Sequence, residues 1–227
     1  MRTDLLALMQ VVDGAFPTGA FAHSLGLETY VQRSAVHDGA SFAEFLRTSL
    51  RLGVGASDAI ALSVAHRAAH DRDWGAVRDV DELLTAMKLP EETRTAGLRV
   101  GRRFLVTCET VFDIADIGRL RGGGREGDFG QHAVAFGAVT ALLGVPIGDA
   151  AQAYLHGHAM SQASAAVRLV PLGATEAQRV VHSLHTDIVA IAGRAVTCGI
   201  DDMTSFTPGL DIASMRHAHL PARLFMS

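Results

Sequence analysis

Apolar residues recur at helical spacing from one end of this chain to the other, and alternating β patterns are nearly absent. That combination most limits the folds open to it. Phe42, Phe45, Leu46, Leu50 and Leu52 form one approximate stripe behind Ser41-Phe42-Ala43-Glu44, a sequence that reads as a capping box. Asp58 opens a second stripe through Ile60, Leu62, Val64, Ala65 and Ala68, and Trp74 a third through Val77, Val80, Leu83, Leu84 and Met87. Pro90 suits a first helical turn, with Glu91 and Glu92 at its positive end, and Leu98, Phe104, Leu105, Cys108, Val111 and Phe112 follow. Further helices are predicted over 131–143, 149–169 and 180–196, the last behind a second capping box, Thr175-Glu176-Ala177-Gln178. No β-rich runs are joined by a hairpin dipeptide, and no internal repeat is visible. The fold class is therefore all-α: a single-domain bundle of about eight to ten helices.

Punctuation divides the chain. Residues 121–130 hold five glycines among Arg, Glu and Asp, which marks a connector. Residues 198–227 carry Pro208, Gly209 and Pro221 and no sustained period. They read as an extended C-terminal tail with one short helical piece near Asp211–Arg216, attached to a body of residues 1–197. The tail keeps Phe206, Leu210, Ile212, Met215, Leu224 and Phe225, bulky residues that a merely solvated segment would not need.

Composition excludes several functions. At 227 residues the chain can bury a real core, and a net charge of −4 gives no electrostatic case for nucleic acid or an anionic membrane. The apolar run at 133–147 contains Gly137, Gly144 and Pro146 and is shorter than the ~20 residues a spanning helix needs. Asp4, Asp13, Gly14 and Pro17 spoil the N-terminal run as a secretion signal, so a cytoplasmic protein is expected. Basic residues are arginines, with Lys88 the only lysine. Cys108 and Cys198 are far apart and read as small hydrophobes. A charged share of 19% is low, which fits either uncharged surface for other proteins or a small, Ala-rich and Gly-rich core.

The chemical inventory is negative. Gly122-Gly123-Gly124-Arg125-Glu126-Gly127 lacks the Lys-Ser/Thr pair and the preceding strand of a phosphate loop. Ala22-His23-Ser24-Leu25-Gly26 lacks the first glycine of a nucleophile elbow. Among eleven histidines, His66/His70 and His182/His185 have same-face helical spacing, whereas His156/His158 and His217/His219 do not. None completes a zinc ligand set, so no catalytic residue and no metal ligand are assigned.

Three longer strings carry more. Phe16-Pro17-Thr18-Gly19-Ala20-Phe21-Ala22-His23-Ser24-Leu25-Gly26-Leu27-Glu28 follows an apolar helix. Ala165-Ala166-Val167-Arg168-Leu169-Val170-Pro171-Leu172-Gly173 comes later, and Pro208-Gly209-Leu210-Asp211-Ile212-Ala213-Ser214-Met215-Arg216-His217, with Arg223-Leu224-Phe225, comes last. Together, and in this order, they resemble the UreF family of urease accessory proteins. Asp58, Glu92-x-Arg94 and His132 with Phe136-Gly137 resemble shorter family fragments between them. The chain departs from the family pattern over 174–177, at Ala218 and at His219-Leu220-Pro221.

The resemblance implies an all-α, dimeric, non-enzymatic scaffold. It implies binding to the UreD (also called UreH) accessory protein, recruitment of the GTPase UreG, and docking on apo-urease. Nickel is then handled transiently by the complex, with no tightly bound cofactor. By position, Asp211, Met215, Arg216, His217, Arg223, Leu224 and Phe225 are expected to face UreD. His23, Ser24 and Glu28 are expected near that tail or a partner. For Glu28 and Arg168 an internal ion pair or cap is the competing expectation. Two other classes stay open: a nickel-binding metallochaperone resting on the histidine pairs, and an unrecognised all-α enzyme with a deep polar pocket.

Overall fold

A computed structural model describes residues 3–19, 24–121, 130–217 and 224–225. Among these residues there are twelve α-helices and no β-strand. They are α1 (Thr3–Val12), α2 (Leu27–Gln32), α3 (Gly39–Thr48), α4 (Asp58–His70), α5 (Trp74–Met87), α6 (Glu91–Phe112), α7 (Ala115–Arg121), α8 (His132–Leu142), α9 (Ile147–Leu169), α10 (Ala174–Ser183), α11 (His185–Ala195) and α12 (Pro208–His217). A π-helical turn, Ser49–Val54, continues α3, and a 3₁₀ turn, Ile200–Asp202, precedes α12. The all-α expectation holds. The count exceeds eight to ten because α2 and α7, at six and seven residues, are too short to show a period. The helix predicted over 180–196 is also two helices, broken at Leu184.

Helix α8 is the axis of the body. Every residue from Ala133 to Ala141 is buried, which requires neighbours on all sides. Helices α4, α5, α6 and α9 supply them. On the α4 side Ala59, Ala61 and Ala65 are fully buried, and a methyl group at Gly137 would collide with the carbonyl oxygen of Leu62. The two backbones touch because neither helix presents bulk there. Thr140 removes its own polar cost by donating to the Phe136 carbonyl at 2.7 Å. Phe104, packed on Phe16, Phe136 and the His132 ring, closes the α6 side.

Local signals were read with mixed success. Asp58, Trp74 and Glu91 begin helices as expected. The first capping box sits three residues earlier than predicted. Asp38 is the cap and accepts from the Ser41 backbone at 2.8 Å, while the Ser41 hydroxyl accepts from the Asp38 N–H at 3.1 Å. Glu44 instead pairs with Arg47 at 3.0 Å. The second box is not formed: α10 starts at Ala174, and its N-cap, Gly173, offers no side chain. Asp81, fully buried on α5, holds the chain where it re-enters α8, accepting from the N–H groups of Gly130 (2.9 Å) and Gln131 (2.7 Å). Most of the predicted glycine-rich connector, 122–129, lies outside the described residues.

Within the segment expected as a tail, the described residues pack on the body. Met203 and Phe225 belong to the hydrophobic core, and α12 lies against α2 and α6. The helical piece is longer than the stretch near Asp211–Arg216, running from Pro208 to His217.

Candidate functional site

The N-terminal motif and the C-terminal motif form one structure. Leu25 and Gly26 both take positive φ, 48° and 88°, turning the chain into α2. Gly26 also meets α12 face to face, where an added Cβ would lie 3.4 Å from the Leu210 carbonyl oxygen. The space would admit a Cβ at ordinary contact distance; it is the positive φ that favours glycine here. The turn aims Glu28, 2% exposed, at the end of α12. There Glu28 accepts from His217 Nε2 at 2.9 Å, from the Leu224 N–H at 2.8 Å and from the Phe225 N–H at 3.3 Å. His217, with no exposed surface, turns its Nδ1 to Glu92 at 3.1 Å. Both imidazole nitrogens therefore face a carboxylate. Thr29 donates to the Ala213 carbonyl at 2.9 Å, and Thr93 and Ser214 share a hydrogen bond of the same length. Arg168 stands over the Phe225 ring, 5.8 Å from its centroid.

The expected site residues therefore divide. Ser24, Glu28, His217 and Phe225 are buried and join the N-terminal turn to α12. Glu28 is hydrogen-bonded internally, to His217 and to the Leu224 and Phe225 N–H groups. Met215, Arg216 and Leu224 are exposed, and Ile212, Met215 and Arg216 share one face of α12 by their helical spacing. Asp211 is half-buried, and burial raises its pKa. His23 and Arg223 lie outside the described residues.

A second feature was missed. A cavity of ≈ 260 Å³ runs between α4, α5, α6, α8, α9 and the start of α12. Asp58, Lys88, His132, Tyr154 and His158 line it. Lys88 donates to Asp58 at 2.7 Å, Ser57 donates to the other carboxylate oxygen at 2.8 Å, and the Tyr154 hydroxyl lies at 3.4 Å. Burial pushes the Asp58 pKa up, but the charge and hydrogen bond of Lys88, with Ser57, together pull it below the ordinary carboxylate value. Burial holds His132 and His158 down to about 4 against the attraction of Asp58, so both are neutral at pH 7. Burial, then Asp58, raise Tyr154 well above the usual phenol value. His158 Nε2 shares a hydrogen bond with Ser49 Oγ at 3.3 Å. The signal for this cluster was Lys88, the single lysine in an arginine-rich chain and a compact charge on a flexible stem.

Other candidates fall into place. Burial raises the Cys108 thiol to about 12, an inert core group. His66 is buried and donates from Nε2 to the Val145 carbonyl at 2.9 Å, so it is tied into the core rather than paired with His70. Among the described residues no helix is long and apolar enough to cross a membrane.

Fold and site together define a class: an all-helical protein that folds its last described helix back onto a turn near its N-terminus, beside a cavity into which a buried Asp58–Lys88 pair and two histidines are set. Residues 36–185 match the family model described as UreF. Proteins named "Urease accessory protein UreF" are similar over almost their whole lengths. The one from Arthrobacter sp. (strain FB24) is 38% identical over 225 residues, 98% of this chain and 96% of the relative. That from Paenarthrobacter aurescens (strain TC1) is 38% identical, covering 98% and 97%, and that from Trichodesmium erythraeum (strain IMS101) 36%, covering 98% and 97%. This chain belongs to the UreF family.

Proposed function

We propose that this chain is a urease maturation factor: a non-enzymatic cytoplasmic scaffold that joins a UreD/UreH-type accessory protein to a UreG-type GTPase while nickel is inserted into apo-urease. Nickel is cargo of the assembly and not a resident cofactor of this chain. The protein acts as a homodimer, with further apolar surface on α1, where Leu6 and Met9 are 65% and 60% exposed.

One observation carries the UreD contact. Helix α12 is locked from below by the Glu28–His217 pair, yet its outer side leaves Ile212 and Met215 each 47% exposed, beside Arg216 and Leu224. A helix held rigidly with apolar residues outward is preorganised for a partner, because its ordering cost is met within the monomer. Clustered exposed apolar residues are also what a docking face needs.

Purified protein captured against UreD and UreG homologues tests this. Wild type is expected to retain both. Met215→Glu, and separately Ile212→Glu, should lose UreD with thermal melting unchanged, since both side chains face solvent. Full retention of UreD by both variants would refute the docking face, and failure of wild type to bind either partner would refute the scaffold.

A further inference from the structure

The cavity beside α12 is unevenly charged. Asp13, Asp58 and Asp211 line it against one cation, Lys88, which is already bonded to Asp58 at 2.7 Å. His132 and His158 add no charge at pH 7, since burial holds both down to about 4. Two carboxylates are left without a counter-charge in the lining: Asp13 at its exposed edge and the half-buried Asp211.

Hydrogen-bonding capacity is also unused. Among the described residues no side-chain hydrogen bond engages the Asp211 carboxylate, either ring nitrogen of His132 or the Thr207 hydroxyl, although Thr207 is only 8% exposed. A polar group that deep is ordinarily met by water or a ligand. An ionised carboxylate only accepts, and a neutral imidazole keeps one accepting nitrogen, so the free groups call for N–H donors. The third feature is aromatic. The rings of His132, Phe136 and Tyr154 line the same cavity and pack on one another, with centroids 5.4 Å (His132–Tyr154), 5.6 Å (Phe136–Tyr154) and 6.1 Å (His132–Phe136) apart. Aromatic faces attract organic cations.

We propose that this cavity binds a small organic cation: an ammonium or guanidinium group on a short apolar body, paired with Asp211, with His132 and Thr207 as further acceptors. The group belongs either to a free molecule or to a Lys or Arg side chain offered from outside. At ≈ 260 Å³ the cavity lies just below the range of sites for drug-sized ligands, so the body is small. Val54, Leu84 and Met87 share the lining and suit a hydrocarbon stem. A bare metal ion fits less well, because no group of three or more His, Cys, Asp or Glu among the described residues could hold one. Acceptors that are spread out match a ligand whose donors are spread out too. Burial raises the Asp211 pKa, and a paired cation would offset the cost of keeping that carboxylate ionised.

Neither Ile212 nor Met215 lines the cavity, and the test needs no partner protein, so this reading and the scaffold reading fail separately. The full chain is titrated at pH 7.5 with n-butylguanidinium, followed by calorimetry and by the ring-proton resonances of His132. One site per chain with a Kd on the order of 1 mM or tighter is expected, with the His132 resonances shifting and those of the distant His70 unmoved. Uncharged pentanamide should bind about tenfold more weakly or not at all. Asp211→Asn should weaken binding about tenfold, and Thr207→Val by a smaller factor, whereas Asp79→Asn, at an exposed carboxylate outside the cavity, should change nothing. Circular dichroism of each variant checks folding. Arginine blocked at both ends, as Nα-acetyl-argininamide, separates the sources: binding as tight as the free cation assigns the site to a side chain as well, and exclusion assigns it to a free molecule. No binding at tens of millimolar, unchanged affinity in folded Asp211→Asn, or displacement by an equal concentration of Mg²⁺ or Ni²⁺ would overturn the proposal.

Discussion

Replacing Lys88 by methionine isolates the buried charge pair at the cavity. Asp58 is 5% exposed, and its carboxylate is balanced by one cation, 2.7 Å away. Methionine keeps much of the lysine stem and removes only the charge. Removing one partner of a buried pair costs about 3–5 kcal/mol, because the other charge is left without compensation. A chain of this size loses roughly 2–4 °C in Tm per kcal/mol, so a fall on the order of 10 °C is expected. The pH dependence gives a second reading. With Lys88 present the Asp58 pKa lies below its unfolded value, so its stabilisation is complete above that unfolded value and is lost as pH falls through the folded pKa. Without Lys88 burial dominates and raises it, so the variant's deficit relative to wild type shrinks as pH falls from neutrality. Adding Asp58→Asn should recover most of the loss, since a neutral amide needs no counter-ion. Urea denaturation of wild type, Lys88→Met, Asp58→Asn and the double variant between pH 5 and 8 measures all of this. A Lys88→Met protein within about 1 kcal/mol of wild type, or a double variant no more stable than the single one, would refute the reasoning.

Acid should destabilise the native chain through its histidines. His132 and His158 titrate near 4 in the fold against 6.5 unfolded, so the unfolded chain binds more protons between those values and stability falls as pH drops through that window. Each contributes on the order of 3 kcal/mol. Asp81, raised to about 6, opposes them, because its proton is held by the fold above the unfolded value of 3.8. Denaturation curves from pH 7 to 4 should therefore flatten in His132→Gln/His158→Gln and steepen in Asp81→Asn; an unchanged acid limb in both would exclude these groups as its cause. Gly137→Ala should cost about 2 kcal/mol or more by thermal melting, since α8 cannot back away from α4 without opening its other faces. A neutral result would mean the two backbones are not in contact.

Much of the fold was readable because α8 and its neighbours obey the period that burial imposes. Ala133–Ala141 could be nothing but an interior helix. The errors have local causes. Ser41-x-x-Glu44 satisfies the capping pattern, but Asp38, one turn earlier, is the stronger acceptor and captures Ser41 itself. The break at Leu184 has no glycine or proline to announce it; it is made by burying that leucine. The site was legible only by resemblance. No spacing rule joins Glu28 to His217 across 189 residues, and none separates the inward side of α12 from Met215 and Arg216 on the outward one. The cavity cluster was spread in the same way over three helices and one connecting segment, and Lys88 alone stood out against the composition.

The Glu28–His217 pair also has a consequence for the order in which the chain matures. During synthesis Glu28 emerges early, with a carboxylate destined for burial and without these hydrogen-bond partners until residues 217, 224 and 225 follow. At about 5–20 residues per second that interval is roughly 10–40 s, long compared with helix formation and collapse. The first turn of the body therefore waits, hydrated and open, while α4, α8 and their neighbours condense behind it. Its closure comes late, as a long-range step that tethers both ends of the described chain at once. A nascent or truncated chain that has not reached residue 217 cannot seat α12 on the Glu28 turn, so this part of the fold is completed only when the chain is nearly whole.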